Sequence, residues 1–261
     1  MLKVTNLRFK IGEMRILNGI TFAVSAGDKL GIIGPNGSGK TTLFNCISGF
    51  NLPTTGNIVF NGYDITREIP SKRAMLGIGR VFQNFGIFRE LSVMENIQIA
   101  LETKEPFILF PWSRKTRENK EKALSFLATV GLDNRAREKA GSLSGGQMRL
   151  LEITRAIAFG AELFLLDEPT AGVSPRMKKQ IELSLQKLQE LQKTVLIIEH
   201  DINFIQQLCD RIIVLDMGKV MLDGSADEVR NDPRLQEIYF GTNGRNGLAE
   251  TPEPQKSVQG L

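Results

Sequence analysis

Gly34-Pro-Asn-Gly-Ser-Gly39-Lys40-Thr41 places glycines, a lysine and a threonine where a chain can wrap a phosphate. Glycines let backbone N–H groups turn inward around phosphate oxygens, and a helix N-terminus behind them adds positive potential. At this spacing Lys40 reaches β- and γ-phosphates and the Thr41 hydroxyl binds Mg²⁺, which is the P-loop pattern in full. The context agrees. An apolar run, Lys29-Leu-Gly-Ile-Ile33, leads in as a strand, and Thr42-Leu-Phe-Asn-Cys-Ile-Ser48 follows with helical spacing up to a stop at Gly49. A second motif, Leu163-Phe-Leu-Leu-Asp167-Glu168, delivers two acids at the carboxyl end of a strand, where ligands sit in open α/β sheets. Asp167 suits a Mg²⁺ role, and Glu168 is placed to orient and polarise an attacking water. The chemistry is phosphoryl transfer from a nucleotide to water.

Leu143-Ser144-Gly145-Gly146-Gln147 stands just before a helical run, Met148 to Ala158. Ser144 can cap that helix, and Gly145 and Gly146 permit close phosphate approach. One nucleotide site has little use for a second anion-binding helix start, because the first loop already holds the phosphates. The segment makes sense if it addresses a γ-phosphate held by a neighbouring subunit. His200, the only histidine, closes the strand Thr194-Val-Leu-Ile-Ile198. A lone histidine is normally structural or superficial, so position alone does not decide its role.

The elements around these residues alternate. Leu2 to Phe9 and Ile20 to Val24 read as strands, Asn57 to Phe60 as another, and Asn61-Gly62 as a hairpin turn. From about Gly86 the texture is helical: Ser92 and Glu95 form a capping box for a helix through Leu101, and a charged helix runs from Arg114 towards Val130. After about Leu150 helix and strand alternate again. Met177, Ile181, Leu185, Leu188 and Leu191 make one packing stripe, and Arg211 to Leu215 with Val220 to Leu222 reads as a closing hairpin. The Gly-, Asn- and Pro-rich stretch 242–261 reads as a disordered tail.

Composition sets outer limits. With 261 residues, 41% hydrophobic and 24% charged, the chain can bury a proper core. A net charge of +4 with no basic run interleaved with aromatics argues against nucleic acid as a partner. Cys46 and Cys209 have no metal-ligand spacing and read as small apolar fillers. No apolar run approaches the roughly 20 residues of a membrane helix, and the first residues lack a signal-peptide pattern. The expected place is the cytoplasm, with any membrane served through a partner.

With these motifs the sequence resembles the nucleotide-binding subunits of ABC transporters, over residues 1 to about 241. Gln83 in Val81-Phe-Gln83-Asn84 and His200 match two further elements of that family. The resemblance implies an α/β fold: a P-loop NTPase core of ABC ATPase type with an N-terminal antiparallel β subdomain and a helical insertion subdomain. On that pattern 1–85 and 151–241 form the core and β subdomain, and 86–150 the helical subdomain. It implies that two chains sandwich two ATP molecules. One chain supplies Gly34, Pro35, Asn36, Gly37, Ser38, Gly39, Lys40, Thr41 and Thr42, and the other supplies Leu143, Ser144, Gly145, Gly146 and Gln147. Thr41, Gln83 and Asp167 then hold Mg²⁺, while Glu168, His200 and Gln83 serve catalysis, with His200 sensing the γ-phosphate. The family usually stacks adenine on an aromatic shortly after the first strand; here Ile11 stands at that place, with Phe9 two residues earlier. Ser174 stands where many members have Asp.

Several segments resemble the branch that powers uptake of branched-chain and other hydrophobic amino acids or amides: Thr42 to Gly49, Phe82 to Arg89, Ala171-Gly172, Ile198 to Asp201 and Ile238-Tyr-Phe-Gly241. The extra segment with Phe107, Phe110 and Trp112 points the same way. The branch implies a dimer with itself or a sister ABC ATPase, two transmembrane permease subunits and an extracytoplasmic substrate-binding protein. Asn84 to Leu91 is expected to take up a coupling helix of the permease. Lipid- or polysaccharide-exporting ABC systems share these motifs, and a soluble ABC-type ATPase is the further alternative.

Overall fold

The computed structural model describes residues 1–82, 86–103 and 114–240. β1 (Leu2–Ile11) turns back onto β2 (Met14–Val24), pairing antiparallel from Leu2 opposite Val24 to Ile11 opposite Met14. β3 (Lys29–Ile33) leads through the glycine-rich loop to α1 (Lys40–Ser48), which Gly49 terminates. Next come β4 (Thr55–Phe60), β5 (Tyr63–Asp64), α2 (Pro70–Met75) and β6 (Ile78–Val81). The expected hairpin at Asn61-Gly62 joins β4 to β5. A helical stretch follows, with α3 (Val93–Glu102), α4 (Arg114–Ala128) and α5 (Gly145–Ala158). The chain then alternates through β7 (Leu163–Asp167), α6 (Pro175–Glu190), β8 (Thr194–Ile198), α7 (Ile202–Leu208), β9 (Arg211–Asp216) and β10 (Lys219–Ser225). It closes with α8 (Ala226–Asn231) and α9 (Pro233–Phe240).

Two sheets result. One is antiparallel in the order β2-β1-β4-β5; the other runs β10-β9-β3-β8-β7-β6, parallel except for β10. Every residue of β7 and β8 is buried, the mark of a strand covered on both faces. Alternation then divides them between two cores. Leu163, Leu165, Leu196 and Ile198 face the antiparallel sheet together with Phe44 and Phe60, whereas Phe164, Leu166, Val195 and Ile197 face α5, α6 and α7. Both cysteines are free and buried as apolar fillers, their thiols pushed up to about 12 by burial.

Three expectations change in detail. β2 starts at Met14 rather than Ile20, because the turn after Ile11 pairs the two strands to their ends. Leu191 is exposed, not part of the α6 stripe, since the helix ends at Glu190 and Leu191 only caps it. The helix expected from Met148 to Ala158 starts earlier, at Gly145, because Ser144 caps it. Gln83, the Phe107–Trp112 segment and the tail 242–261 lie outside the described residues.

Candidate functional site

β8 lies between β3 and β7, all three parallel, so their carboxyl ends stand side by side. The glycine loop, Glu199-His200 and Asp167-Glu168 therefore meet at one edge of the sheet, the crevice where open α/β sheets bind ligands. The Lys40 side chain is buried there, and its ammonium donates to the carbonyls of Gly34 (2.8 Å) and Pro35 (2.9 Å). Burial lowers its pKa, while the charges of Glu168 and Asp167 pull the other way. Gly34 has φ +148, and a Cβ on it would fall 2.0 Å from the Leu215 carbonyl oxygen, so no other residue fits. A cleft of about 290 Å³ opens beside the loop, lined by Ile16, Asn36, Gly37, Gly39, Lys40, Thr41, Thr42 and Glu168. Ile11 is 64% exposed on the β1–β2 turn and does not line this cleft; Phe9 packs towards the core. Ile16 of β2 is the apolar residue the sequence reading passed over.

Asp167 is 2% exposed. Its Oδ2 accepts from Arg80 Nη2 at 2.8 Å, and its Oδ1 is buried with no hydrogen-bond partner, as is the Ser38 hydroxyl. Burial pushes the Asp167 carboxyl up; the Arg80 guanidinium opposes this. A buried carboxylate oxygen left unpaired is costly unless something else is to meet it. A hard oxygen donor of this kind beside a threonine-lined cleft fits Mg²⁺. Arg80 escaped the sequence reading. It also donates to Ser48 Oγ at 3.1 Å and lies 5.2 Å from the ring centres of both Phe44 and Phe82, tying Asp167 to α1.

Glu168 adopts φ +48, an uncommon left-handed backbone for a non-glycine residue. That turn aims its carboxylate at His200, whose Nε2 lies 2.8 Å from Glu168 Oε1. The structure thus brings Lys40, Asp167, Glu168 and His200 to one edge.

Ser144 and Gln147 form a reciprocal capping box on α5: Ser144 N–H donates to Gln147 Oε1 (3.0 Å), and Gln147 N–H to Ser144 Oγ (3.4 Å). Arg135 Nη1 holds the same Gln147 oxygen at 2.8 Å. Leu143 is buried, whereas Gly145 is partly open at the helix start. Gly146 is buried, and a Cβ there would meet Met177 Cγ at 1.7 Å, so its bareness serves the approach of α6 rather than an open surface. None of these five residues lines the cleft at the glycine loop.

Gly34 N–H donates to the Tyr239 hydroxyl of α9 at 2.9 Å, so the last helix anchors the first residue of the loop. Tyr239→Phe leaves that amide unpartnered, at a cost of about 1 kcal/mol or more in loop order. The expected result is a nucleotide affinity weakened about fivefold, read by titration calorimetry, in a chain that still folds. Unchanged affinity would show that the anchor is dispensable.

A profile described as ABC transporter matches residues 17–171. The high-affinity branched-chain amino acid transport ATP-binding protein BraF of Pseudomonas aeruginosa is 36% identical over 249 residues, covering 92% of this chain and 98% of BraF. Among solved structures, the ADP conformation of an ATP-binding cassette of an ABC transporter superposes with a TM-score of 0.81 at 36% identity, over 92% of this chain and 98% of that one. A dimeric post-hydrolysis cassette bound to ADP and Pi gives 0.76 at 30% identity, over 87% of this chain and 99% of that one.

Proposed function

The chain belongs to the ABC transporter family, and from that premise we propose that it is the ATP-hydrolysing subunit of a membrane importer for branched-chain or other hydrophobic amino acids or amides. The observation that carries this reading is the meeting of the phosphate loop, the buried Asp167 and the Glu168–His200 pair at the ends of three adjacent strands. The likeness to BraF supports the cargo class.

In this reading the backbone N–H groups of 34–41 and the start of α1 hold the ATP phosphates. Lys40 gives up its carbonyl partners for β- and γ-phosphate oxygens. Thr41, Gln83 and Asp167 would hold Mg²⁺, which neutralises phosphate charge when bound. Glu168 takes the proton side of the attacking water, and His200, bonded to Glu168, meets the γ-phosphate. Leu143 to Gln147 faces the nucleotide of a second ATPase chain, this one or a sister. That a related cassette has been solved as a dimer with ADP and Pi supports the two-chain site.

The described residues hold no helix long and apolar enough to cross a membrane. The proposed place is the inner membrane's cytoplasmic face, beneath two permease subunits fed by an extracytoplasmic binding protein. A groove of about 390 Å³ lined by Phe50, Phe82, Phe88 and Ile99 supports reading 86–91, the described part of the Asn84 to Leu91 segment, as the permease dock.

Lys40→Ala tests the site: Mg-ATP affinity measured by calorimetry is expected to fall about 30-fold, the loss of one charge-assisted contact worth about 2 kcal/mol. Binding at wild-type strength would overturn the assignment of the phosphate cradle. For the cargo, deleting the gene from its host and following uptake of labelled leucine, valine and aliphatic amides decides. Uptake of all of them at the parental rate would sink the amino-acid and amide reading.

A further inference from the structure

We infer that Glu199 is a positioning residue for ATP hydrolysis, clamping Glu168 and His200 into register from beneath the site; the inference rests on the roles proposed above for those two residues. Glu199 follows β8 and is only 4% exposed. Among the described residues, its carboxylate accepts hydrogen bonds from the two segments that carry the reacting side chains. Its Oε1 accepts the Thr170 N–H at 2.9 Å and the Thr170 hydroxyl at 2.6 Å. Its Oε2 accepts the His200 N–H at 3.2 Å.

These bonds close a circuit. Thr170 lies two residues beyond Glu168, Glu168 meets the His200 ring at 2.8 Å, and the His200 backbone returns to Glu199. The circuit has something to hold. Glu168 sits at φ +48, a conformation that persists only where its surroundings over-determine it. On one side its own N–H is fixed to the Ile198 carbonyl at 2.9 Å, and its carbonyl accepts from Ala171 N–H at 3.1 Å. On the other side the turn is fixed by Glu199 through Thr170. Without that carboxylate the turn keeps its first tether and loses its second, and the Glu168 carboxylate is free to drift relative to His200 while the phosphate loop, on β3, is untouched. Nucleotide binding and catalysis should therefore separate.

The experiment uses the full-length chain in whichever assembly the wild type turns over, with steady-state ATP hydrolysis and Mg-ATP affinity measured in parallel. Glu199→Ala is expected to lower kcat about 30- to 100-fold with KM and affinity within about threefold, the scale of an ångström-sized misplacement. Glu199→Gln keeps a carbonyl acceptor for Thr170 and is expected to recover to within about fivefold of wild type. Thr170→Val, which removes one donor and preserves volume, is expected to cost about fivefold in kcat alone and carries the test if Glu199→Ala fails to fold. Full turnover in Glu199→Ala or Thr170→Val would overturn the inference, as would parallel losses of kcat and affinity that Gln does not rescue. Glu168→Gln is the control: if it turns over normally, the underlying reading falls and this one with it. If the control is dead while Glu199→Ala runs at full rate, only the positioning role of Glu199 is lost.

Discussion

Glu168→Gln is expected to lower ATP turnover by about three orders of magnitude and leave Mg-ATP binding within about threefold, the range for removing a general base. The amide keeps the size of the carboxylate and can still meet the His200 ring, so the left-handed turn at Glu168 and the 2.8 Å contact have no steric reason to change. What disappears is the ability to take a proton from water. Lys40 and the loop amides lie on another segment, and the neighbouring Asp167 is unchanged, so the contacts proposed for phosphate and Mg²⁺ remain. The variant should consequently hold ATP without spending it. If two chains close on two nucleotides, the ATP-loaded pair then accumulates, and light scattering after size exclusion should show a two-chain species with Mg-ATP but not without it. A variant that binds ATP and stays a single chain points to a sister ATPase or the permeases as the missing half. A variant that hydrolyses ATP at the wild-type rate would falsify the role given to Glu168.

The parts of this site legible in the sequence are those written within a few consecutive residues. The phosphate loop is fixed by glycine spacing, the α3 start by the Ser92/Glu95 box, the α5 start by the Ser144 cap, and β7 and β8 by unbroken apolar runs. What escaped depends on partners far along the chain. β6 reads Ile-Gly-Arg-Val, and its charge breaks the apolar pattern; Arg80 is tolerated inside the sheet because Asp167, 87 residues later, meets it. Glu199 is hidden beside the more conspicuous His200, and only the burial of its carboxyl against Thr170 reveals a role. Family likeness places Ile11 at the adenine position; it stands exposed on the turn after β1, while Ile16 of the returning strand lines the cleft, a placement no local pattern announces. Strand order was equally out of reach: nothing local says that β8 inserts between β3 and β7, and that insertion is what brings His200 to Glu168.

Arg73→Met is expected to cost at least about 3 kcal/mol of stability, which for a chain of this size means a Tm lower by about 6–12 °C in thermal denaturation. Arg73 is 1% exposed, and its hydrogen bonds go to backbone carbonyls rather than to an acid. Nη1 donates to Cys46 (2.6 Å) and Ile47 (2.9 Å), Nε to Glu68 (2.8 Å) and Nη2 to Thr66 (3.0 Å). Cys46 and Ile47 belong to the last turn of α1, whose carbonyls form the negative end of that helix's dipole. Burial lowers the Arg73 pKa, and the guanidinium stays inside because those four carbonyls receive its charge. Methionine fills much of the volume but strands all four acceptors, each at about 1 kcal/mol or more, so the loss is one of hydrogen bonding rather than of packing. Arg73→Lys retains the charge as a point and cannot span both α1 and the 66–68 loop, so about half the penalty should remain. A Tm within 2 °C of wild type in Arg73→Met would mean that water replaces the guanidinium and that the lock is ornamental. α1 begins at Lys40 and ends on Arg73, so the helix that presents the phosphate loop is held at its far end by a residue nowhere near the nucleotide. The stability loss should therefore appear with much less change in ATP affinity than Lys40→Ala produces, because the contacts to phosphate are made at the other end of the helix.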